Sequence, residues 1–559
     1  MMIFVLLIAI SLRFFGLGIT PEGLYADEAS IGYNAYSLLK TGKDEYGKSF
    51  PALIKSFGDY KTPVYTYLLV PVYGIWGMNM TTTRSVSAAA GVITVLFLYS
   101  LVKLLSGSKR LAVISSLVLA ISPWHIMLSR AAIEANVALM YMVVGIWAFI
   151  KFVKGGKAFL IPAAIATAVS FTAYHSERFI LPLLYVFPGW YYRKIIFSKE
   201  NLKWLTGGLI AGLLILIPTL LVFNTPAFFA RAKNVNILSL KTNELWGFAE
   251  GAGIINNRVL LFVREWLSLY ATYFSPKYLF GPANPDLRNI YPGTGPLLIW
   301  QLPFLIIGAV ELIRLKKGDR KNLIILLLLI SPLPASLVRE PFGMIRALPL
   351  VIPLSILIAM GITRFLNKWR FWGAVITGVF VFLGLGRIYL SVFKLNDYYR
   401  YLYWDSGVEK AVQEINKFND QKVQVDSWRA EIYSQLLFFT KYDPIKYQAD
   451  NGMKDLNNYY NGGPIDQIRQ IGRITVKSLD WNRDVYDDRI LVGSYKQFGD
   501  REIKHYCLTK LFTIRAADNV ILYTGAKTNP EVLAKYNELT RTRGDESNDC
   551  LSFIEKNKE

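Results

Sequence analysis

Charged residues are scarce in this chain of 559 residues, at 18% of the total, whereas a typical soluble protein has about 25%. Hydrophobic residues make up 53% of the chain, and the mean hydropathy is +0.31. Residues 1–395 consist of repeated apolar runs, while the rest of the chain is polar and mixed. This distribution excludes an ordinary soluble enzyme and predicts a polytopic membrane protein with a soluble C-terminal domain.

Cysteine is equally rare, with two copies, Cys507 and Cys550, both in the polar C-terminal region. Neither lies in a CxxC or His-rich context, which argues against a zinc site of the usual kind. The spacing leaves open whether the two form a disulfide or remain free thiols. The chain also lacks GxGxxG and Walker patterns, so nothing in the sequence supports nucleotide binding.

Apolar runs long enough to cross a bilayer recur through the first part of the chain, separated by short Lys/Arg clusters. The sequence predicts about 11 transmembrane helices, with a range of about 11–13, together with interfacial helices and a C-terminal α/β domain. The predicted spans are 2–19, 84–105, 110–128, 133–153, 158–175, 178–192, 203–223, 296–315, 322–338, 344–366 and 371–392.

The apolar segment 62–78 decides the orientation of the chain. Pro63, Pro71 and three tyrosines interrupt it, and if it does not cross, every short basic loop falls on one side of the membrane. The positive-inside rule makes that side the cytoplasm, so 62–78 is predicted to be interfacial or re-entrant. The basic loops also explain most of the net charge of +21, and nucleic acid is not an expected partner.

The predicted topology places an integral protein in the plasma membrane with a cytoplasmic N-terminus. A transmembrane domain, 1–392, carries a first external loop at 20–83 and a long one at 224–295. The extracytoplasmic domain, 393–559, alternates helix and strand patterns such as "SGVEKAVQEINKF" and "RILVGSY", which are typical of a small α/β domain. This domain is expected either to recognise an acceptor or cover the site, or simply to stabilise the protein.

Acidic and basic side chains converge at the outer ends of the predicted spans. Cations there suit a phosphate or pyrophosphate headgroup, and a carboxylate there can take a proton from an incoming hydroxyl. The pattern therefore predicts transfer of a group from a membrane-bound phosphate lipid. The residues are Asp27, Glu28, Lys61, Arg84, Arg130, Glu134, His175, Glu177, Arg178, Asp286, Arg288 and Arg346.

Several of these residues also have a purely structural explanation. Asp27 and Glu28 suit the start of a helix near Ala29, and Arg130 and Glu134, four residues apart, suit an intrahelical pair. His175 suits a hydrogen-bonded interfacial position. Snorkelling at span ends explains four basic residues taken singly, namely Lys61, Arg84, Arg178 and Arg346.

The sequence resembles the GT-C glycosyltransferases, in particular the family-39-like membrane enzymes that include protein O-mannosyltransferases and the lipid A aminoarabinose transferase. The resemblance lies in a run of motifs in the right order, strongest over the first 200 residues. They are "PEGLYADEASIGYNAYSLLKTGKDEYGKSFP", "SFGDYKTPVYTYLLVPVYGIWG", "TRSVSAAAGVITVLFLYSLVKLL" and "ISPWHIMLSRAAIEANVAL".

The resemblance implies a GT-C fold and a polyprenyl-phosphate sugar donor used on the extracytoplasmic side. It implies that Asp27 is the catalytic base, with Glu28 as the second acid of the pair and Glu134 beside Arg130 as a further acid. Lys61 lies in "DYKTP", similar to a Lys-Pro-Pro element associated with the donor phosphate, with Thr62 replacing the first proline. His175 and Arg178 occupy a region that faces the lipid phosphate in relatives, and Arg346 is a further candidate for binding the donor phosphate. Arg84, Glu177, Asp286 and Arg288 are additional candidate site residues without an assigned role.

The expected reaction is an inverting transfer of a hexosyl or pentosyl group to a hydroxyl of a protein, lipid or glycan. No cofactor is expected to be obligatory, although Asp27, Glu28 and Glu134 are hard oxygen ligands suited to Mg²⁺ or Mn²⁺. The alternatives are a transporter or flippase for lipid-linked glycans, a non-catalytic membrane assembly or sensor protein, and a ligase with a pyrophosphate-linked donor. A transporter tends to carry polar groups near the membrane midplane, whereas here they cluster at the outer ends.

Overall fold

The computed structural model describes residues 1–235, 258–282, 287–338, 340–427, 431–461, 468–543 and 549–556. Helices dominate the first 400 residues, and a domain built on a β-sheet follows. The α-helices of the first part are Met2–Phe14, Ala26–Thr41, Val64–Trp76, Met80–Ser106, Lys109–Ala120, Pro123–Ser129, Glu134–Val153, Leu160–Ala173, Glu177–Tyr191, Arg193–Ile196, Leu202–Leu221, Pro226–Val235, Arg258–Thr272, Pro276–Phe280, Leu302–Arg314, Asp319–Ile330, Leu333–Ser336, Val351–Leu390 and Asn396–Arg400.

Every predicted span coincides with one of these helices or with a pair of them. Of the described helices, four are long and apolar enough to cross a membrane. A fifth is added if Lys109–Ala120 and Pro123–Ser129, bent by 60°, form one span. The last two predicted spans share the helix Val351–Leu390, which is broken at Arg370. The polytopic helical fold is therefore confirmed, while the number of spans remains a prediction.

Side chains and glycines mark the ends of the helices near the site. Asn79 accepts a hydrogen bond from the main-chain N–H of Thr82 and so caps the long helix Met80–Ser106. Gly107 ends this helix in the left-handed conformation (φ 69°), which glycine adopts without a steric penalty. The next helix begins directly afterwards, so the two pack as neighbours.

Glycines also set the close packing between helices Leu302–Arg314 and Val351–Leu390. A Cβ atom at Gly308 would collide with the main-chain carbonyl of Leu357, and one at Gly361 with that of Phe304. Small residues at such crossings let the backbones approach closely, which is how helices associate in lipid.

The short basic loops lie together at one end of the bundle. Lys154 reaches the carbonyl of Leu104, and Arg110 donates to Asn367 at 2.8 Å. Helix Met80–Ser106 runs from this end to the other, where residues 20–63 and the C-terminal domain lie. The predicted alternation of loops between two ends is thus present, and which end faces the cytoplasm remains a prediction.

Strands β1 (Ile54–Ser56) and β2 (Asp59–Lys61) form a hairpin in the first part of the chain. A six-stranded mixed sheet organises the C-terminal domain, with strands β3 (Val423–Val425), β4 (Arg469–Ile471), β5 (Ile474–Val476), β6 (Ile490–Ser494), β7 (Thr509–Arg515) and β8 (Ile521–Lys527). Their order in the sheet is β4-β5-β3-β6-β8-β7. The central strands β5, β3 and β6 are parallel and the outer pairings are antiparallel. The predicted α/β character is confirmed, although β4 and β7 were not predicted. The α-helices of this domain are Val408–Ile415, Ile432–Thr440, Pro444–Asn451, Asp500–His505, Pro530–Arg543 and Cys550–Lys556.

Cys507 and Cys550 form a disulfide, with their Cα atoms 5.2 Å apart. Of the two alternatives that the sequence left open, the structure therefore has the bonded one. Leu508, Tyr536 and Phe553 pack around the bridge in a small apolar cluster. It joins the helix Cys550–Lys556 to the segment leading into β7.

Candidate active site

Two short elements bring Asp27 and Lys61 into contact. Asp27 lies in the first turn of helix Ala26–Thr41, and Lys61 ends the hairpin formed by β1 (Ile54–Ser56) and β2 (Asp59–Lys61). The hairpin turns through Phe57 and Gly58, both with positive φ, as a tight two-residue turn requires. Lys61 Nζ donates to Asp27 Oδ1, and the side chain of Asp27 is 36% exposed against 7% for Lys61. The carboxylate therefore faces solvent while the ammonium group approaches it from within.

Glu28, the neighbour of Asp27, is buried and fully hydrogen-bonded. Arg84 binds both of its oxygens, with Nε and Nη2 each at 2.9 Å. The main-chain N–H groups of Ala132 and Tyr25 donate to the same carboxylate at 2.8 and 3.2 Å. Because both oxygens are occupied, the geometry favours Glu28 as the residue that holds the helix start carrying Asp27 in place.

Arg130 is buried and directed towards main-chain carbonyls. It donates to Phe15 at 2.8 Å, Gly16 at 3.1 Å and Thr20 at 2.6 Å. These contacts fix the segment that leads from the first helix towards Asp27. Its position favours a positioning role over contact with a substrate.

Glu134 opens the helix Glu134–Val153, two residues after Ala132, and is half-buried. Since Ala132 donates to Glu28, Glu134 lies at the same end of the bundle as Asp27. The structure thus brings the three acids singled out in the sequence to one end of the bundle. Of the three, Glu28 is the most deeply buried.

His175 and Arg178 lie at the turn that follows Ala173, next to the segment that carries Lys61. Thr62 Oγ1 donates to the carbonyl of Ala173 at 2.7 Å, which joins the Lys61 segment to the turn containing His175. The guanidinium of Arg178 stacks on Phe228 at 4.2 Å from the ring centre. Its Nε and Nη2 atoms are buried without a hydrogen-bond partner among the described residues, as is Oε2 of the adjacent Glu177.

A cavity of about 460 Å³ lies beside these elements, lined by Tyr25 and Ala26, the residues that directly precede Asp27. Arg288 lines it too, with its guanidinium 3.9 Å from the ring centre of Tyr25. Arg346 stands at its edge, paired at 3.5 Å with the lining residue Glu340. The remaining lining residues are Leu287, Pro341, Phe342, Gly343, Tyr403, Asp405 and Glu431. Asp286 lies outside the described residues.

Sequence reasoning did not identify which residues of the C-terminal domain reach this region. Asp405 and Glu431 reach the cavity from that domain, and Ser434 donates to the carbonyl of Ala26 at 3.3 Å. Some 400 residues of chain separate these groups from Asp27, and no local pattern in a single sequence marks such a contact.

A second unpredicted feature is a buried polar cluster between the first external loop and the C-terminal domain. Asp44 accepts a hydrogen bond from Tyr459 at 2.5 Å, and Glu45 accepts one from Asn34 at 3.1 Å. Burial raises the pKa of Asp44 to about 6 and that of Glu45 to about 7, the latter partly offset by the positive charge of Arg469. Both acids are therefore held in an environment that disfavours their charged forms.

This cluster predicts that the protein loses stability as the pH rises from about 4 to about 7. In the unfolded chain the two acids ionise near pH 4, whereas the folded protein retains their protons up to the raised pKa values, so the folded state binds more protons in that window. Each pKa unit corresponds to about 1.4 kcal/mol. The midpoint temperature of thermal unfolding should fall as the pH rises through this window. In the double variant Asp44→Asn/Glu45→Gln the midpoint should depend less on pH. The exposed Asp488→Asn serves as the control, and an unchanged slope in the double variant would refute the assignment.

No group of three or more His, Cys, Asp or Glu side chains is placed to hold a metal ion in the part of the chain that the structure describes. Glu28, one of the three acids considered for Mg²⁺ or Mn²⁺, has both oxygens taken by Arg84 and main-chain N–H groups. Glu28 is therefore already engaged by protein groups, and a divalent ion held by Asp27 and Glu134 stays a prediction.

Two sequence comparisons bear on the family. Residues 60–222 match the family model of the dolichyl-phosphate-mannose-protein mannosyltransferases. An uncharacterized protein from Aquifex aeolicus (strain VF5) is 29% identical over 187 residues, which make up 31% of this chain. The match covers 36% of that relative's length.

The fold matches crystal structures of ArnT from Cupriavidus metallidurans along nearly the whole chain. The apo form aligns with a TM-score of 0.55 at 12% identity, over 95% of this chain and 98% of ArnT. The form bound to undecaprenyl phosphate aligns with a TM-score of 0.53 at 13% identity, over 94% and 97%. The resemblance seen in the sequence is thereby confirmed, and this chain is a membrane protein with the fold of the GT-C glycosyltransferases.

Proposed function

We propose that this protein is an inverting glycosyltransferase that moves a sugar from a polyprenyl phosphate to an acceptor hydroxyl. The observation that carries the proposal is the contact between a partly exposed carboxylate, Asp27, and a largely buried ammonium group, Lys61. An acid that reaches solvent beside a fixed cation suits a reaction in which a proton is taken up as a phosphate departs.

The reaction is a single displacement at the anomeric carbon. The acceptor oxygen forms a bond to that carbon while the bond from the carbon to the phosphate oxygen breaks. The acceptor's proton passes to a carboxylate oxygen of Asp27, and the electron pair of the broken bond leaves with the polyprenyl phosphate. Because a phosphate is already a good leaving group, no protonated acid is needed to help it depart.

The cations bind the phosphate and stabilise its growing charge. Arg178 presents two buried guanidinium nitrogens without a partner among the described residues, which fits an anion supplied by the donor. The segment of Lys61 contacts the turn that contains His175, and Arg346 pairs with Glu340 at the edge of the cavity. Interactions that strengthen as the bond breaks lower the barrier, whereas uniform binding does not.

Two further observations support this proposal. One structure with this fold, ArnT, is bound to undecaprenyl phosphate, which makes a polyprenyl phosphate a sensible donor carrier here. The disulfide between Cys507 and Cys550 suits an oxidising compartment, which favours an extracytoplasmic C-terminal domain and active site. The basic loops at the opposite end then face the cytoplasm.

Replacing Lys61 by alanine tests the phosphate side. Purified protein is incubated with an undecaprenyl-phosphate-linked sugar, and release of undecaprenyl phosphate is followed, so that water serves as acceptor. Loss of one preorganised donor at a developing negative charge is expected to lower kcat/KM about 10²–10³-fold. Lys43→Ala, an exposed lysine in the same loop, should be unaffected.

The same assay separates the alternatives. A transporter or an assembly protein would leave the donor intact, and a ligase would prefer a pyrophosphate-linked sugar. Equal donor release by Lys61→Ala and Lys43→Ala would remove Lys61 from the proposed site.

A further inference from the structure

A second cavity, of about 230 Å³, lies at the carboxyl ends of the parallel strands β3 and β6. It is lined by Val425 of β3 and the following Asp426, and by Gly493 and Ser494 of β6 and the following Tyr495. After β3 the chain continues to β4, and after β6 it continues to β7. Since β4 and β7 lie at opposite edges of the sheet, the two connections diverge at this place. In open α/β sheets, ligands bind in the crevice formed where neighbouring connections diverge in this way.

The lining combines aromatic rings with groups that bind hydroxyls. Tyr403 and Tyr495 are 40% and 43% exposed, so their rings are accessible, and Tyr523 lies beside them. A sugar ring has an apolar face of C–H groups, which packs on an aromatic ring, and a rim of hydroxyls, which pair with carboxylates, amides and hydroxyls. The more exposed polar groups of the lining are Lys496 and the three tyrosines, whereas Asp405, Ser406, Asp426 and Gln435 are buried.

The charge of the crevice selects against phosphate. Asp405 and Asp426 contribute two negative charges to the lining and Lys496 one positive charge, so the lining carries a net negative charge. An anionic headgroup would be repelled here, whereas a neutral glycan would not. This distinguishes the crevice from the cationic region around Lys61 and Arg178.

The crevice adjoins the cavity next to Asp27. Tyr403 and Asp405 line both spaces. Gln435 Nε2 donates to Asp405 Oδ2 at 3.0 Å and to the carbonyl of Leu24 at 2.7 Å, which fixes this boundary against the segment leading to Asp27. A chain of sugars seated in the crevice would therefore extend towards the proposed base.

We infer that this crevice in the C-terminal domain binds the neutral carbohydrate part of the acceptor, so that the acceptor is a glycan or a glycosylated molecule. The inference deepens the proposed function and rests on it in one respect, namely that the bound glycan is the acceptor of the transfer. Binding of a glycan by the crevice can nevertheless be measured without any transfer.

The experiment is saturation-transfer NMR on the purified full-length chain, in the Asp27→Asn background so that no turnover occurs. The probes are neutral tetrasaccharides of glucose, mannose and galactose. Saturation of at least one probe is expected, and Tyr495→Ala should weaken its binding about fivefold, the loss expected for one aromatic contact. Tyr495→Phe keeps the ring and should keep most of the binding, while Tyr486→Ala, an exposed tyrosine away from the lining, serves as the matched control.

Two results would contradict the inference. Absence of saturation for all three probes, or equal binding by Tyr495→Ala and Tyr486→Ala, would overturn the inference. Donor turnover by the wild-type protein tests the proposed function separately. If a probe binds but the donor is not turned over, the crevice binds glycans and the protein is not a transferase.

Discussion

Replacing Asp27 by asparagine is expected to lower the rate of sugar transfer about 10²–10⁴-fold, the usual contribution of a general base. The amide keeps the size of the carboxylate but cannot accept the proton of the incoming hydroxyl. Because the Asp27 side chain is partly exposed and pairs with Lys61 at the surface of the site, the fold should remain intact. Expression level and thermal unfolding measured beside turnover separate a chemical effect from a structural one.

Glu22→Gln is the matched control for Asp27→Asn. Glu22 lies five residues earlier, in the same loop, and makes an exposed ion pair with Lys410 at 3.0 Å. Its substitution removes one carboxylate charge near the site without touching the Asp27 contact. Wild-type turnover by purified Asp27→Asn, or an equal loss in Glu22→Gln, would show that Asp27 is not the base.

Replacing Arg84 by methionine is expected to destabilise the protein by about 3–5 kcal/mol, because it leaves Glu28 as a buried, uncompensated charge. Both side chains are almost completely buried, at 0% and 1% exposure. The helix start carrying Asp27 loses its anchor as well, and a displacement of about 1 Å at a reacting group can cost about 10²-fold in rate. Thermal unfolding and donor turnover measure the two effects.

A double variant and an exposed pair complete this test. Adding Glu28→Gln to Arg84→Met removes the unpaired charge, so it should recover part of the stability but not the position of Asp27. Lys410→Met breaks the exposed pair with Glu22 and should change stability by no more than about 1 kcal/mol. If Arg84→Met unfolds at the same temperature as the wild type, the buried pair is not the anchor described here.

The helices could be predicted from the sequence because a lipid bilayer restricts the backbone conformations that can cross it. Every backbone polar group within a bilayer must be satisfied internally, so a long apolar run predicts a helix, and each predicted run coincides with one. Strands β4 and β7 were not predicted because they are the two edges of the sheet. Their sequences, RQI and TKLFTIR, carry more polar residues than the inner strands, so no apolar run marks them.

The candidate site could be predicted from the sequence only in part. The structure has Asp27, Lys61, Glu134 and His175 at one end of the bundle, where topology alone brings the turns together, and their roles stay predictions. What each carboxylate does depends on its partners: Glu28 resembles Asp27 in sequence, yet it binds Arg84 and two main-chain N–H groups. Contacts of this kind, like those from Asp405 and Glu431 across 400 residues of chain, follow from tertiary packing and leave no local trace.

The consumption of a polyprenyl-phosphate sugar is the central claim, and mass spectrometry of membrane lipids tests it most directly. Lipid-linked sugars are compared between cells that produce the wild-type protein and cells that produce Asp27→Asn at the same level. The account predicts that one polyprenyl-phosphate sugar is depleted by the wild type and accumulates with the variant, with a matching loss of one sugar from surface glycans. Identical pools of lipid-linked sugars in the two strains would contradict it.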